Sequence, residues 1–490
     1  MFSLNKKNLK GSALAYALII MAIVLIILTS LLGYITSQVK FSANRAQKEE
    51  AFQVAEAGIY FYRWYLAHET AGRTAREVDD FWQTSDPLGI TSAYQDNLID
   101  PEGGVIGTYF IEAERPISGS TIVIVKSTGW TSQNPDLKRT VQVRFRRPSW
   151  SEYAVLANDF MRFGPGTEVF GKIHSNKGIR FDGTAHNIVS SLSATHDDPD
   201  HSGGNEFGVH THVNIPPATG VNDTYRPLEA PPNPVSNRND VFLIGREFPV
   251  PEVSFTGVSA DLSFMKEQAS SGHGQYFDSS YGRRIILKSD GTMDVCKVRT
   301  YDTDTYAITR YRTNTGHSTC SSCSGQCLVN YPIPDNGIIF VENNIWLEGT
   351  INNKKVTIVA ANTLGWTSRD IYIGMNNLLY TNFDGSDIIG LIAQGNISVI
   401  RDSLNNLTID GALIAQTGRV GRNYYSSHSY DKDTITVNGS LATNIRYGFA
   451  YTDGTGYNNR ILNFDNNLLY FPPPYFPTGT DYFIDLWEEL

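Results

Sequence analysis

The sequence predicts an α+β protein: a long N-terminal transmembrane and amphipathic helix, a small antiparallel sheet, and then a mainly β domain. The β domain is expected to be a parallel β-helix, with a β-sandwich as the alternative. Three observations carry this. Residues 12–33 are uncharged and mostly apolar, and the stretch behind them keeps helical spacing without a proline. Residues 104–147 then switch to period-two alternation. From about residue 150, short apolar pieces recur between Asn, Gly and Asp turns, and one four-residue string returns after 22 residues.

Composition narrows the function. The 490 residues carry 40 basic and 50 acidic side chains, a formal charge of −10. An apolar content of 41% supports a buried core and excludes disorder for most of the chain. Four cysteines in this length exclude a disulfide miniprotein, and a single long apolar run excludes a polytopic membrane protein. The acidic balance speaks against a general nucleic-acid binder, which needs a basic surface to displace counterions.

The apolar run at 12–33 makes a helix of about 33 Å, enough to cross a bilayer's hydrocarbon core. Leu14, Leu18, Ile23, Leu28 and Leu32 are the expected membrane-facing anchors. Lys6, Lys7 and Lys10 precede the run and favour a cytoplasmic N-terminus, which puts the remaining chain outside. The run is longer than the apolar core of a cleavable secretory signal. Behind it, Phe52, Ala55, Ile59 and Tyr62 fall three and four residues apart, so the helix is expected to continue to about residue 69, with Gly58 as its one weak point. The whole would be about 57 residues and about 85 Å if unbroken.

A basic leader ending in Lys10-Gly11, an uncharged apolar stretch directly after it, and a continuing helix carrying Ala51, Ala55, Glu56, Ala57 and Gly58 together resemble type IV pilin-like proteins, in particular the PilX-like branch of minor pilins. The resemblance covers about residues 5–65. It implies cleavage by a prepilin peptidase between Gly11 and Ser12, removing residues 1–11 as a leader and leaving the 12–69 helix as membrane anchor. Major pilins of that family begin with Phe and have Glu at the fifth mature position. Here those positions hold Ser12 and Tyr16, which fits a tip, initiator or accessory subunit better than a repeating shaft subunit.

Residues 70–103 are polar, are broken by Pro87 and Gly89, and read as a connector with a short helix. Residues 104–148 read as a three-stranded antiparallel meander, with Arg144, Arg146 and Arg147 on a solvated strand face. Residues 150–470 form the repeating β region. Leu391-Ile392-Ala393-Gln394 and Leu413-Ile414-Ala415-Gln416 match, and Leu441-Ala442-Thr443 is a possible third copy. Coils of about 20 residues with small and branched apolar side chains suit a solenoid whose turns bury one another's inner faces. Paired asparagines at 343–344, 352–353, 376–377 and 405–406 suit its turns and side-chain ladders. Three prolines and several aromatics in 471–490 suggest an extended cap across the solenoid's end. That end, with the 170–176 segment, is similar to a family of large, functionally uncharacterised bacterial surface proteins with the same N-terminus. The likeness implies architecture only.

Two clusters carry possible chemistry. Six of ten histidines (His174, His186, His196, His201, His210 and His212) fall within 39 residues, with Asp197, Asp198 and Asp200 among them. Imidazole and carboxylate at this density point to a possible divalent cation, Zn²⁺ on the histidines or Ca²⁺ on the aspartates, with His196, Asp197, Asp198, His201, His210 and His212 as candidate ligands. On a strand, His210 and His212 would share one face. The alternative is a solvated polar loop. Cys296, Cys320, Cys323 and Cys327 lack the second spaced pair of a zinc knuckle. Outside the membrane they favour disulfides pinning the 296–327 excursion, with connectivity left open.

No nucleophile elbow or phosphate-binding glycine motif is present. Asp384, Asp387 and Asp402 are the acids a polysaccharide-active enzyme would use, but Asp is common in such turns for backbone reasons. The expectation is a non-enzymatic, minor pilin-like pilus assembly or tip protein. It would be held in the bacterial inner membrane by one helix, with a periplasmic or extracellular β domain for adhesion or assembly. Its expected partners are the inner membrane, other pilin-like subunits, a prepilin peptidase, and surface glycans or host cell surfaces. The alternatives are an anchored polysaccharide-active β-helix enzyme and a surface protein unrelated to pili.

Overall fold

The computed structural model describes residues 10–116, 120–216, 220–255, 258–313, 316–318, 327–363, 365 and 367–490. Helix α1 (Lys10–Thr70) is continuous over 61 residues, about 90 Å at the usual rise. Its first half is exposed and apolar. Its second half buries Ala51, Val54, Ala55, Ile59, Tyr62 and Leu66, a three- and four-residue spacing that lays one stripe on a sheet. Helix α2 (Ala75–Thr84) starts on a reciprocal capping box between Thr74 and Glu77.

The sheet under α1 has five strands rather than the expected three. β1 (Tyr94–Ile99), β2 (Val105–Ala113), β3 (Ile122–Thr131) and β4 (Arg139–Arg146) run antiparallel in chain order, and the C-terminal strand Phe483–Glu489 pairs with β4. β1 lies inside the segment read as connector, where its polar YQDN start hid it. Along β3 every second residue is buried, so Val123 and Val125 face the helix. The prolines of 471–490 lie on the flank of the β domain, where Thr357 donates to the Pro474 carbonyl. The segment then leaves to complete the small sheet, so it is not a terminal cap.

Arg144 and Arg146, read as solvated, hold that last strand. Arg144 lies 2.8 Å from Asp485, and Arg146 lies 2.7 Å from Glu152 and 3.2 Å from Asp485. Arg147 is buried. These charges close the chain on itself, because β4 and residue 485 are edge partners.

The β domain is built mainly of parallel ladders in which successive turns of chain stack, with an antiparallel excursion over residues 292–332. In one ladder Ile339, Ile358, Leu391, Leu413, Leu441, Val155, Ile173 and Val189 follow one another in register. The two matching strings are neighbours in it, and Leu441-Ala442-Thr443 is the third copy. These strings read as continuous apolar runs because both faces are covered. Leu391 and Leu413 point into the main core, whereas Ile392 and Ile414 pack with Leu262 and Met265 of helix α3 (Val258–Ser270) and with Phe476.

The order of the stack departs from the order of the chain. The first strand of the domain, Val155–Ala157, lies between 441–443 and 173–175, in the middle of the ladder. Residues 155–247 build outward to one end, the chain returns through α3 to the other end at Gln275–Phe277, and residues 275–464 fill back to the middle. A second ladder repeats this junction, with Leu462 beside Val169.

Candidate functional site

The lower half of α1 sits unusually close to its sheet. A β-carbon on Gly129 would stand 2.2 Å from the Ala55 amide nitrogen, and one on Gly58 would stand 2.3 Å from Ser127 Oγ. Ala51, Ala55 and Gly58 are therefore the small residues that let helix and strand touch. Glu56 and Ala57 flank this seam at the half-buried edge. Leu14, Leu18, Ile23, Leu28 and Leu32 are all exposed, on a helix long and apolar enough to cross a membrane. Helix α1 includes Gly11 and Ser12.

The second constellation is the histidine cluster at one end of the stack. His210 ends the strand Val209–His210, which lies parallel to Ile179–Phe181 with His210 beside Arg180. Asp198 and His201 come from the preceding loop, and Glu206 from the two-residue strand Glu206–Phe207. Nε2 of His201, His210 and His212 lies 3.1, 3.3 and 3.0 Å from Oε2 of Glu206. The same atoms lie 3.5, 3.8 and 4.0 Å from Oδ2 of Asp198. Donor atoms of Asp198, His201, Glu206 and His212 all fall within 4.8 Å of one another.

An outer layer orients these groups. Nδ1 of His210 donates to the Phe207 carbonyl at 2.8 Å, and Nδ1 of His212 to the Asn222 carbonyl at 2.7 Å. The Arg226 amide donates to Glu206 Oε1 and the Asp200 amide to Asp198 Oδ1. Arg180, fully buried, bridges Asp182 at 2.8 Å and Asp198 at 3.4 Å. Burial opposes ionisation of Asp198, but the facing His210 ring, the Asp200 amide and Arg180 outweigh it and hold the carboxyl well below its usual range. Glu206 is likewise held low, where His212, His210 and the Arg226 amide overcome burial.

Of the six ligands expected from sequence, Asp198, His201, His210 and His212 converge. His196 does not, since its ring stacks on Phe160 at 4.7 Å, and the Asp197 side chain is exposed. His174 bonds Ser190 and Asn176, and His186 stacks on Phe170. Asp200 pairs with Arg162 and Arg446. Sequence reading missed Glu206. Its signal was its place four residues before His210 and six before His212, outside the conspicuous HDDPDH run.

Cys296 is joined to Cys327 across paired antiparallel strands, whereas Cys320 and Cys323 lie outside the described residues. Asp384, Asp387 and Asp402 have local duties. Asp387 accepts the amides of Thr381 and Asn382, Asp384 caps Ser386, and Asp402 pairs with Arg401.

A long exposed apolar helix that runs into a close-packed helix-on-sheet module is the build of a membrane-anchored, pilin-like protein. Residues 10–59 match the family model described as PilX N-terminal, so the chain carries a PilX-like type IV minor-pilin N-terminus. Among solved structures, the chain is similar to the competence-associated pilin ComZ from Thermus thermophilus. The likeness covers 91% of this chain and 98% of that one at 12% identity and a TM-score of 0.27, too loose to bear on the fold. No curated protein matches.

Proposed function

We propose that the chain is a minor pilin-like subunit of a type IV pilus-type filament. Its helix would anchor it in the inner membrane and join neighbouring pilin helices, and its β domain would project outward for assembly or adhesion. One observation carries this reading. α1 is a single helix whose first half exposes an apolar surface and whose second half, bearing the PilX-like segment, is fixed to the sheet. Such a helix transmits the position of the membrane anchor rigidly to the outer domain.

Tyr16, in place of an acidic side chain, leaves the membrane segment with no carboxylate to offer a neighbour's N-terminus. This supports a terminal or accessory subunit rather than a shaft subunit. The test is the intact mass and first residue of the chain purified from its own membranes. A start at Ser12 in the native protein, lost in Gly11→Ala, is the expected result. A start at Met1 in both refutes processing by a prepilin peptidase.

A further inference from the structure

The geometry points to a resident first-row transition-metal ion held by Asp198, His201, Glu206 and His212, with His210 as a further donor. At about 2.1 Å per bond, two ligands of a tetrahedral ion stand about 3.4 Å apart, and adjacent ligands of an octahedral ion about 3.0 Å apart. The six nitrogen–oxygen separations run from 3.0 to 4.0 Å, which is the spacing of atoms around one ion.

Hydrogen bonding points the same way. A carbonyl only accepts, so Nδ1 of His210 and of His212 carries a hydrogen, and Nε2 is the atom that each ring turns to the carboxylates, to bear either a proton or a cation. A metal ion there takes the place of the protons through which Nε2 of His201 and of His212 otherwise bonds Glu206 Oε2, at 3.1 and 3.0 Å. Nε2 of His210 is fully buried, aims into the cluster and makes no hydrogen bond. Backbone groups fix the far side of the His210 and His212 rings and of both carboxylates, as in the usual outer layer of a metal site.

The donor set selects the ion. Three imidazole nitrogens suit Zn²⁺ and its neighbours. They count against Ca²⁺, which takes about six to eight oxygens. All five donors belong to this chain and are largely enclosed, so the ion is structural rather than open to a substrate. Its work is visible in what surrounds it. Among the described residues from 192 to 226, the buried apolar side chains are Phe207 and Val209 alone. This excursion lacks a core of its own, and a shared ion fastens its loops to the strand Val209–His210.

The experiment uses the full-length chain in detergent, stripped with a chelator and titrated with Zn²⁺ by calorimetry, with thermal melts of both forms. The expected result is one equivalent bound and a higher melting temperature with metal. His212→Ala should weaken binding by at least about 100-fold, and Glu206→Gln, which keeps the side-chain volume, by at least about 10-fold. His428→Ala, at an exposed site elsewhere, should change nothing. If His212→Ala fails to fold, Glu206→Gln decides alone. Failure to take up Zn²⁺, or uptake that the variants leave unchanged, overturns the assignment. Neither outcome depends on whether the chain joins a pilus.

Discussion

Gly129 lies under the backbone of α1, where a methyl group would meet the Ala55 amide at 2.2 Å and the Ala51 carbonyl at 2.5 Å. Strand propensity alone favours Gly129→Val. Contact with helix backbone, which cannot rotate away, predicts the opposite. The variant should lose about 1–3 kcal/mol, read as a lower melting temperature of the helix-on-sheet module. An unchanged or raised melting temperature would show that the helix lifts without cost. Gly58 looked like a flaw in a helical pattern because propensity counts only the helix. Its role follows from the sheet side chain that faces it. The histidine–carboxylate cluster was legible to the same degree: His201, His210, His212 and Asp198 stood out by density. Density also drew in His196, whose ring stacks on Phe160, and Asp197, whose side chain is exposed, and it passed over Glu206.

The elements of the β domain are held by ladders that cross from one turn of chain to the next. Asn438 donates to Asp410 at 2.7 Å and Asn463 donates to Asn438 at 2.8 Å, all three in register. At the turns, Asn344 accepts the Asp370 amide, Asp370 the Asn396 amide, and Asn396 the Arg419 amide. The asparagine pairs read from sequence are partly such devices: Asn377 accepts the Thr408 amide, Asn405 accepts the Asp433 amide, and Asn353 takes a positive φ. Gly439 stacks so tightly on Gly411 that a β-carbon there would stand 2.0 Å from its carbonyl oxygen. Burial raises the Asp410 carboxyl above its ordinary 3.8. The unfolded chain therefore ionises first as pH rises, and Asp410 takes stability away between pH 3.8 and its raised folded value. Asp410→Asn removes that penalty, and the amide ladder keeps its partners by reversing. The melting temperature of the variant minus that of the native protein should rise from pH 4 to pH 7. A flat difference would mean that Asp410 ionises freely in the fold.

At the scale of the whole molecule, the chain enters and leaves the stack at its middle, so two strands of chain tie the pilin-like module to the β domain. The second tie is the C-terminal strand, secured by Asp485 on Arg144 and Arg146 and by a 2.8 Å hydrogen bond from Trp82 to Tyr482. Deleting residues 483–490 bares the edge of β4. Limited proteolysis should then cut within residues 94–146 faster than in the native chain. Equal protection would show that the edge strand is dispensable. By itself the sequence determined the long helix, its membrane half, the small sheet and the repeating β region. Each rests on a periodicity or on contacts between near neighbours in the chain. The tertiary structure alone decided that residue 155 stacks on 441, that the last strand completes the first sheet, and that Glu206 joins three histidines. These are pairings between distant segments, set by which edges and buried charges were left to satisfy once the local elements had formed.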